Sequence, residues 1–180
     1  VDAMVGHPVD AVVADALPRP ATAATGHHAL EVRDLTLTGV FEGISLQVAP
    51  GQIVGLAGLT GSGRSELLET LFGVGQADSG TMLLDGEPYT PRDSRTAIAS
   101  GIGYLPPDRK TQGLVLKRSI GDNMAMAATM TRPRLSSPRV PRVRALVEES
   151  MSAMQVKADG PDVPVSTLSG GGQQKVALGK

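Results

Sequence analysis

The stretch Gly58-Leu-Thr-Gly-Ser-Gly-Arg-Ser65 spaces its glycines and its Arg-Ser pair as a phosphate-holding loop requires. Glycines let the backbone curl until successive N–H groups face one concavity, an anion nest. A helix starting inside such a loop adds its positive dipole end and its unpaired N–H groups. Read this way, Gly58, Gly61, Ser62, Gly63, Arg64, Ser65 and Glu66 are the candidate phosphate-binding set, and the Ser65 hydroxyl is a candidate ligand to Mg²⁺. Arg64 stands where such loops carry lysine. Lysine reaches phosphates as a compact point charge, whereas arginine grips oxyanions with a planar fork. Positive charge survives the exchange, but the geometry that follows charge movement in phosphoryl transfer changes. The pattern therefore favours binding over fast turnover. The competing reading is a glycine-rich strand-to-helix turn without a ligand.

A second glycine turn, Leu168-Ser-Gly-Gly-Gly-Gln-Gln-Lys-Val176, offers another run of N–H groups at a helix start, with a serine hydroxyl added. Other candidates reduce to bland roles. Met82-Leu-Leu-Asp-Gly86 is an apolar run ending in Asp, but the Asp-Gly pair marks a hairpin turn. His7, His27 and His28 lie upstream of the periodic sequence, and the methionines of Asp122–Met130 suit packing.

Elements must hold these turns in place. Leu30–Leu37 and Ile44–Val48 read as strands, the second alternating cleanly. Gln52–Gly58 is apolar without alternation, which predicts a strand buried on both faces of a parallel sheet. Ser65–Phe72 places Leu67, Leu68, Leu71 and Phe72 at helical spacing. Thr81–Gly86 and Gly101–Pro107 are predicted as short strands, Arg118–Met130 and Val143–Met154 as helices, and Thr131–Arg144 as irregular and basic. Leu17–Gly26 has linker composition.

Composition bounds the rest. Across 180 residues the net charge is -1, against the basic excess of a general nucleic-acid binder. There are 0 cysteines, which excludes disulfides and thiolate metal sites. Aromatics are 2%, so aliphatic residues and methionine must fill the core. No apolar run approaches a membrane span, predicting a soluble chain or one held at a membrane by a partner.

Four segments in order, Gly58–Gly73, Ile102–Leu114, Ser119–Met126 and Leu168–Val176, resemble the second cassette of the tandem ATP-binding cassette (ABC) ATPases of ribose/xylose/galactose-type sugar importers. That cassette is known for arginine in its first glycine loop, the Walker A loop. The resemblance covers about residues 30–180 and implies an α/β fold: a P-loop NTPase core, an antiparallel β-subdomain and a helical subdomain about 115–165. It further implies that residues 1–28 are the tail of a preceding cassette plus a linker, and that 29–180 are a partial ATP-binding domain.

In this family two cassettes face each other, and each signature loop caps the ATP held by the opposite Walker A loop. Carried onto this sequence, Ser169, Gly170, Gly171 and Gln173 would contact ATP in trans. ATP and Mg²⁺ are the implied cofactors. The implied partners are the first cassette of the same polypeptide, membrane permease subunits and, indirectly, a periplasmic or lipoprotein sugar-binding protein, with no nucleic acid. The place would be peripheral, on the cytoplasmic face of the cell membrane. The function would be coupling of ATP binding and hydrolysis to sugar uptake; a nucleoside importer and a non-catalytic nucleotide-sensing cassette are the alternatives. A P-loop kinase would have no reason to carry the 168–176 turn.

The sequence departs from the family at several points. Gly172 replaces the usual Asn, and Pro107 occupies the Q-loop position, where Gln or Glu is usual. Phe41 is the one candidate for stacking on a base, with a place in the core as the alternative. The Walker B carboxylates and switch histidine would follow Lys180, so no catalytic residue is assigned and the chain alone is expected to be inactive. Asp108–Lys110 could serve coupling or form an ion-paired turn, and the arginines of 132–144 a solvated face or a contact surface.

Overall fold

A computed structural model describes residues 28–131 and 141–180. The linker composition at 17–26, His7, His27 and three of the five arginines in 132–144 lie outside the described residues. The chain divides into two compact units, one through Leu71 plus Gly75–Pro91, the other Phe72–Val74 plus Arg92–Lys180.

In the first unit, β1 (Leu30–Leu37), β2 (Phe41–Val48), β3 (Ser79–Leu84) and β4 (Glu87–Pro88) form an antiparallel sheet in the order β2-β1-β3-β4. Strict alternation in β1 would turn Asp34 toward the side of Leu30 and Val32. Asp34 instead takes φ 48°, the β1–β2 register shifts there, and Leu35 is the buried residue at 1% exposure. This bulge trades one ladder position for an inward leucine. The Ser45 hydroxyl accepts from the Asp34 N–H at 2.9 Å. Asp85 and Gly86, at φ 51° and 84°, make the tight turn into β4, so Met82–Gly86 is indeed a hairpin end.

Helix α1 (Arg64–Leu71) buries Leu67, Thr70 and Leu71 against this unit. Leu68, at helical spacing with them in sequence, stays 43% exposed. The Tyr89 hydroxyl, buried, donates to the Leu71 carbonyl at 2.9 Å, satisfying one of the acceptors a helix end leaves free.

Two predicted strands differ from expectation. Gln52–Gly58 and Gly101–Pro107 have no regular secondary structure, and Ile53 is 71% exposed. An apolar run becomes an inner strand only beside a neighbour offering free N–H and C=O groups. Among the described residues no strand pairs with either segment.

The second unit is helical: α2 (Ser94–Ala99), α3 (Ile120–Met124), α4 (Met126–Thr131), α5 (Pro141–Ala153) and α6 (Gly170–Leu178), with a π-helical turn at Arg109–Gly113. Helix α5 opens at Pro141, a residue suited to a first helical position, so residues 141–144 are helical rather than irregular. Asp93 and Ser119 cap α2 and α3, accepting from the N–H groups of Thr96 and Asp122. Ile120, Val143, Val147, Met151, Val165 and Val176 form the core.

Asn123 is fully buried, and its amide clamps the preceding turn. Its oxygen accepts from Val115 N–H at 2.8 Å, and its nitrogen donates to the carbonyls of Val115 and Ser119 at 3.1 and 2.9 Å. Asn123→Ala should cost about 2 kcal/mol by leaving those groups unpaired. The shift in urea midpoint measures it, and an unchanged midpoint would show the clamp to be idle.

Several carboxylates are held below their ordinary range. Glu31 is lowered to about 2, chiefly by hydrogen bonds from Arg33. Asp78 is lowered by the Thr38 N–H, Asp93 by the Thr96 N–H, and Asp108 by the Thr111 side chain. Groups depressed in the folded state stabilise it fully above their unfolded values, near pH ~4. That stability is lost as pH falls through the folded values. Melting temperature should therefore hold above roughly pH 5 and drop below it; a rise on acidification would reverse the sign.

Candidate functional site

The first glycine turn runs from Gly58 to the start of α1, and its backbone explains its composition. Gly61 and Gly63 take φ 79° and 81°, left-handed values that favour glycine. Gly63 is also walled in. A Cβ there would lie 2.8 Å from the Val40 carbonyl oxygen and 3.2 Å from Phe41 Cβ. The loop thus rests on the turn between β1 and β2. At Gly58 a Cβ would meet the Ser62 hydroxyl at 2.6 Å, so the loop's first and fifth positions close on each other. The Gly63 carbonyl accepts from Leu67 N–H at 2.8 Å, starting the helix inside the loop.

Gly58, Gly61, Ser62, Arg64, Ser65 and Glu66 are exposed, and only Gly63 is buried. Arg64 Nη2 lies 3.5 Å from the Leu59 carbonyl, a long contact that leaves the guanidinium available to an oxyanion. N–H groups at a helix start, an exposed cation and the Ser65 hydroxyl suit a phosphate chain with a divalent ion. Phe41 is 7% exposed at the start of β2; its place is the core.

The second glycine turn belongs to the helical unit. Ser169 caps α6, its hydroxyl accepting from Gly172 N–H at 3.2 Å, and the glycines form the first helical turn. The approach to it is laced to the segment before α3. Ile120 and Gly121 N–H groups donate to the carbonyls of Val163 and Pro161, and those of Val165 and Ser166 to Arg118 and Leu116. Ser169, Gly170 and Gly171 face solvent. Gln173 departs from that set: it is 8% exposed, and its amide nitrogen donates to the Leu168 carbonyl at 3.2 Å. Residue 173 lies on the stripe of Val176 and Ala177, which is buried, and so turns inward.

Pro107 is exposed. Asp108 accepts from Lys110 and Thr111 N–H groups at 2.8 and 3.3 Å, so it caps the π-helical turn. Sequence reasoning missed the Asn123 clamp, the Tyr89 cap and the inward Gln173. Each depends on a partner distant in sequence or on a rotamer, and a residue type alone gives no signal for either.

Comparison with known proteins agrees with this geometry. The ABC transporter family profile matches residues 41–180. A ribose import ATP-binding protein RbsA of Halalkalibacterium halodurans is 42% identical over 159 residues, 88% of this chain and 32% of that protein. Its Pseudomonas putida counterpart is 42% identical over 172 residues, 96% of this chain and 33% of that protein. The chain thus spans about a third of the length of the curated relatives it matches. Among solved structures, an ATP-binding cassette of an ABC transporter in its ADP conformation superposes with a TM-score of 0.67 at 18% identity, over 84% of this chain and 63% of that one. A cbiO1 protein of Clostridium perfringens gives 0.65 at 20%, over 85% and 60%. The α/β P-loop fold with an antiparallel sheet and helices is therefore the fold of this chain. Because one continuous match takes in the first glycine loop, the helical segments and the second glycine turn, the chain belongs to the ABC transporter family.

Proposed function

We propose that this chain is part of the second cassette of a tandem ATP-binding protein that energises sugar import. The observation that carries this is the pair of solvent-facing glycine turns, each opening a helix, at Gly58–Ser65 and Ser169–Gly171. The 42% identity to ribose import ATP-binding proteins supports a sugar as cargo.

Bound ATP with Mg²⁺ supplies a phosphoanhydride whose hydrolysis releases the energy. The residues of this chain bind and orient. N–H groups of Gly61–Ser65 would hold phosphate oxygens, Arg64 would add a fork of donors, and the Ser65 hydroxyl would be a ligand to the cation. Ser169, Gly170 and Gly171 present their donors outward, toward nucleotide held by the first cassette of the same polypeptide. Their closure moves permease subunits at the cytoplasmic face of the membrane, which receive sugar from a binding protein. Among the described residues no helix is long and apolar enough to cross a membrane. Residues 1–28 belong to the preceding cassette and linker, and about 115–165 to the helical subdomain.

Arg64 and Pro107 mark the cassette's own site as slow, since neither reproduces the lysine or the side-chain oxygen usual there. The test is transport by the full-length protein with its permease in vesicles. ATP-dependent uptake of a pentose or hexose is expected. Uptake of nucleosides alone would overturn the cargo, and failure to bind ATP with Mg²⁺ would overturn the whole reading.

A further inference from the structure

The π-helical turn after Pro107 is tied to both ends of α6 by long cationic side chains. At its start, Arg109 brings the tip of its guanidinium to the first residue of α6: a Cβ on Gly170 would meet Nη2 at 3.0 Å. At its end, the Gly113 carbonyl accepts from Lys180 Nζ at 3.1 Å, beyond the last turn of α6. The turn is itself closed. Asp108 caps it, and Gly113 folds back so far that a Cβ there would lie 3.4 Å from Arg109 Cβ.

Stability alone does not account for Arg109. The positive end of a helix dipole disfavours a cation beside it. Its Nε is buried and has no acceptor among the described residues, an unpaired donor that costs stability. Gln173, three residues after Gly170 on the same face of α6, has a buried amide oxygen that likewise has no donor. An apolar side chain of similar length would fill the same space with fewer unpaired groups. What the guanidinium contributes is reach: its terminal Nη2 occupies the space that a side chain at Gly170 would take, next to Ser169.

We propose that Arg109 is a positioning residue for the second glycine turn, fixing Ser169 and Gly170 through the guanidinium seated on Gly170. The segment Pro107–Gly113 and the start of α6 then move together, so the conformation of one sets the geometry of the other. Arg109 acts through Gly170 and does not itself touch nucleotide. The inference rests on the reading of Ser169–Gly171 as a surface that closes on ATP.

The test is a cycle of variants in the full-length transporter: Arg109→Met, Gly170→Ala and both together, each with a melting curve. A methyl at Gly170 presses on Arg109 Nη2 and shifts it by a few tenths of an ångström, so both single variants act on one contact. Each should lower kcat about tenfold with KM for ATP changed less than about twofold, and the double variant should be no worse than either. Losses that multiply in the double variant, or native kcat in Arg109→Met, overturn the inference. If Arg109→Met does not fold, Arg109→Gln takes its place, and the same two results decide. A parallel Ser169→Arg variant separates the two claims. Native turnover in Ser169→Arg would defeat the reading of the turn and this inference with it. Loss of turnover there with native Arg109→Met would defeat this inference alone.

Discussion

Ser169→Arg in the full-length transporter should lower ATP turnover by about a hundredfold or more, whereas Arg64→Ala should slow it only a few-fold. The asymmetry follows from where the two residues stand. Ser169 is exposed at the start of α6, and its hydroxyl sits among the N–H groups of the first helical turn. Arginine there replaces a small donor with a long side chain on the surface proposed to close on nucleotide. Losing one preorganised donor at a site of developing charge is worth about two orders of magnitude, and the bulk adds to it. On the proposed reading Arg64 would hold phosphates in this cassette's own site, where arginine and Pro107 stand in place of the lysine and side-chain oxygen usual there. Removing it therefore weakens binding in the slower site. Loss of the Ser169 cap costs only about 1 kcal/mol of helix stability, so melting curves will separate misfolding from loss of chemistry. Full turnover in Ser169→Arg with none in Arg64→Ala would invert the assignment.

Gly63→Ala should destabilise the first unit by about 4 kcal/mol and abolish nucleotide binding by the Gly58–Ser65 loop. Two costs add. At φ 81° any L side chain is strained. The new methyl would also meet the Val40 carbonyl oxygen at 2.8 Å, and backbone cannot swing aside as a side-chain end can. Relief requires the loop to lift from the β1–β2 turn, which breaks the alignment of its N–H groups with the start of α1. Gly61→Ala is the comparison. Its φ of 79° carries the same strain, but no atom lies within 4 Å of the new methyl. It should cost less, about 1–2 kcal/mol. Denaturation midpoints and fluorescent ATP titration measure both effects, and equal costs at the two positions would show that packing on Val40 contributes nothing.

How much of this was legible beforehand depended on whether the information was local. The helix at Arg64–Leu71, the Asp85-Gly86 hairpin and the helix start after Ser169 were readable because each is specified by a few adjacent residues. Periodicity located α5 to within a few residues, whereas the single helix read over Arg118–Met130 is two short ones, α3 and α4. The bulge at Asp34 was not readable, since alternation predicts a face and gives no warning of a one-residue slip. Gln52–Gly58 and Gly101–Pro107 read as strands because they are apolar, yet a strand also needs a neighbour, and the sequence of a segment does not contain one. At the site, glycine spacing identified both turns, whereas the inward rotation of Gln173 and the seat of Arg109 on Gly170 arise from tertiary packing.

The central claim is that the Ser169–Gly171 turn closes on nucleotide held by a second cassette's glycine loop. Site-directed disulfide formation tests it most directly, since this chain has 0 cysteines of its own. Ser169→Cys, paired with a cysteine in the corresponding loop of the first cassette, should cross-link on mild oxidation when ATP and Mg²⁺ are present and should not when nucleotide is withheld. Cross-linking that ignores nucleotide, or none in its presence while ATP is demonstrably bound, would contradict the account.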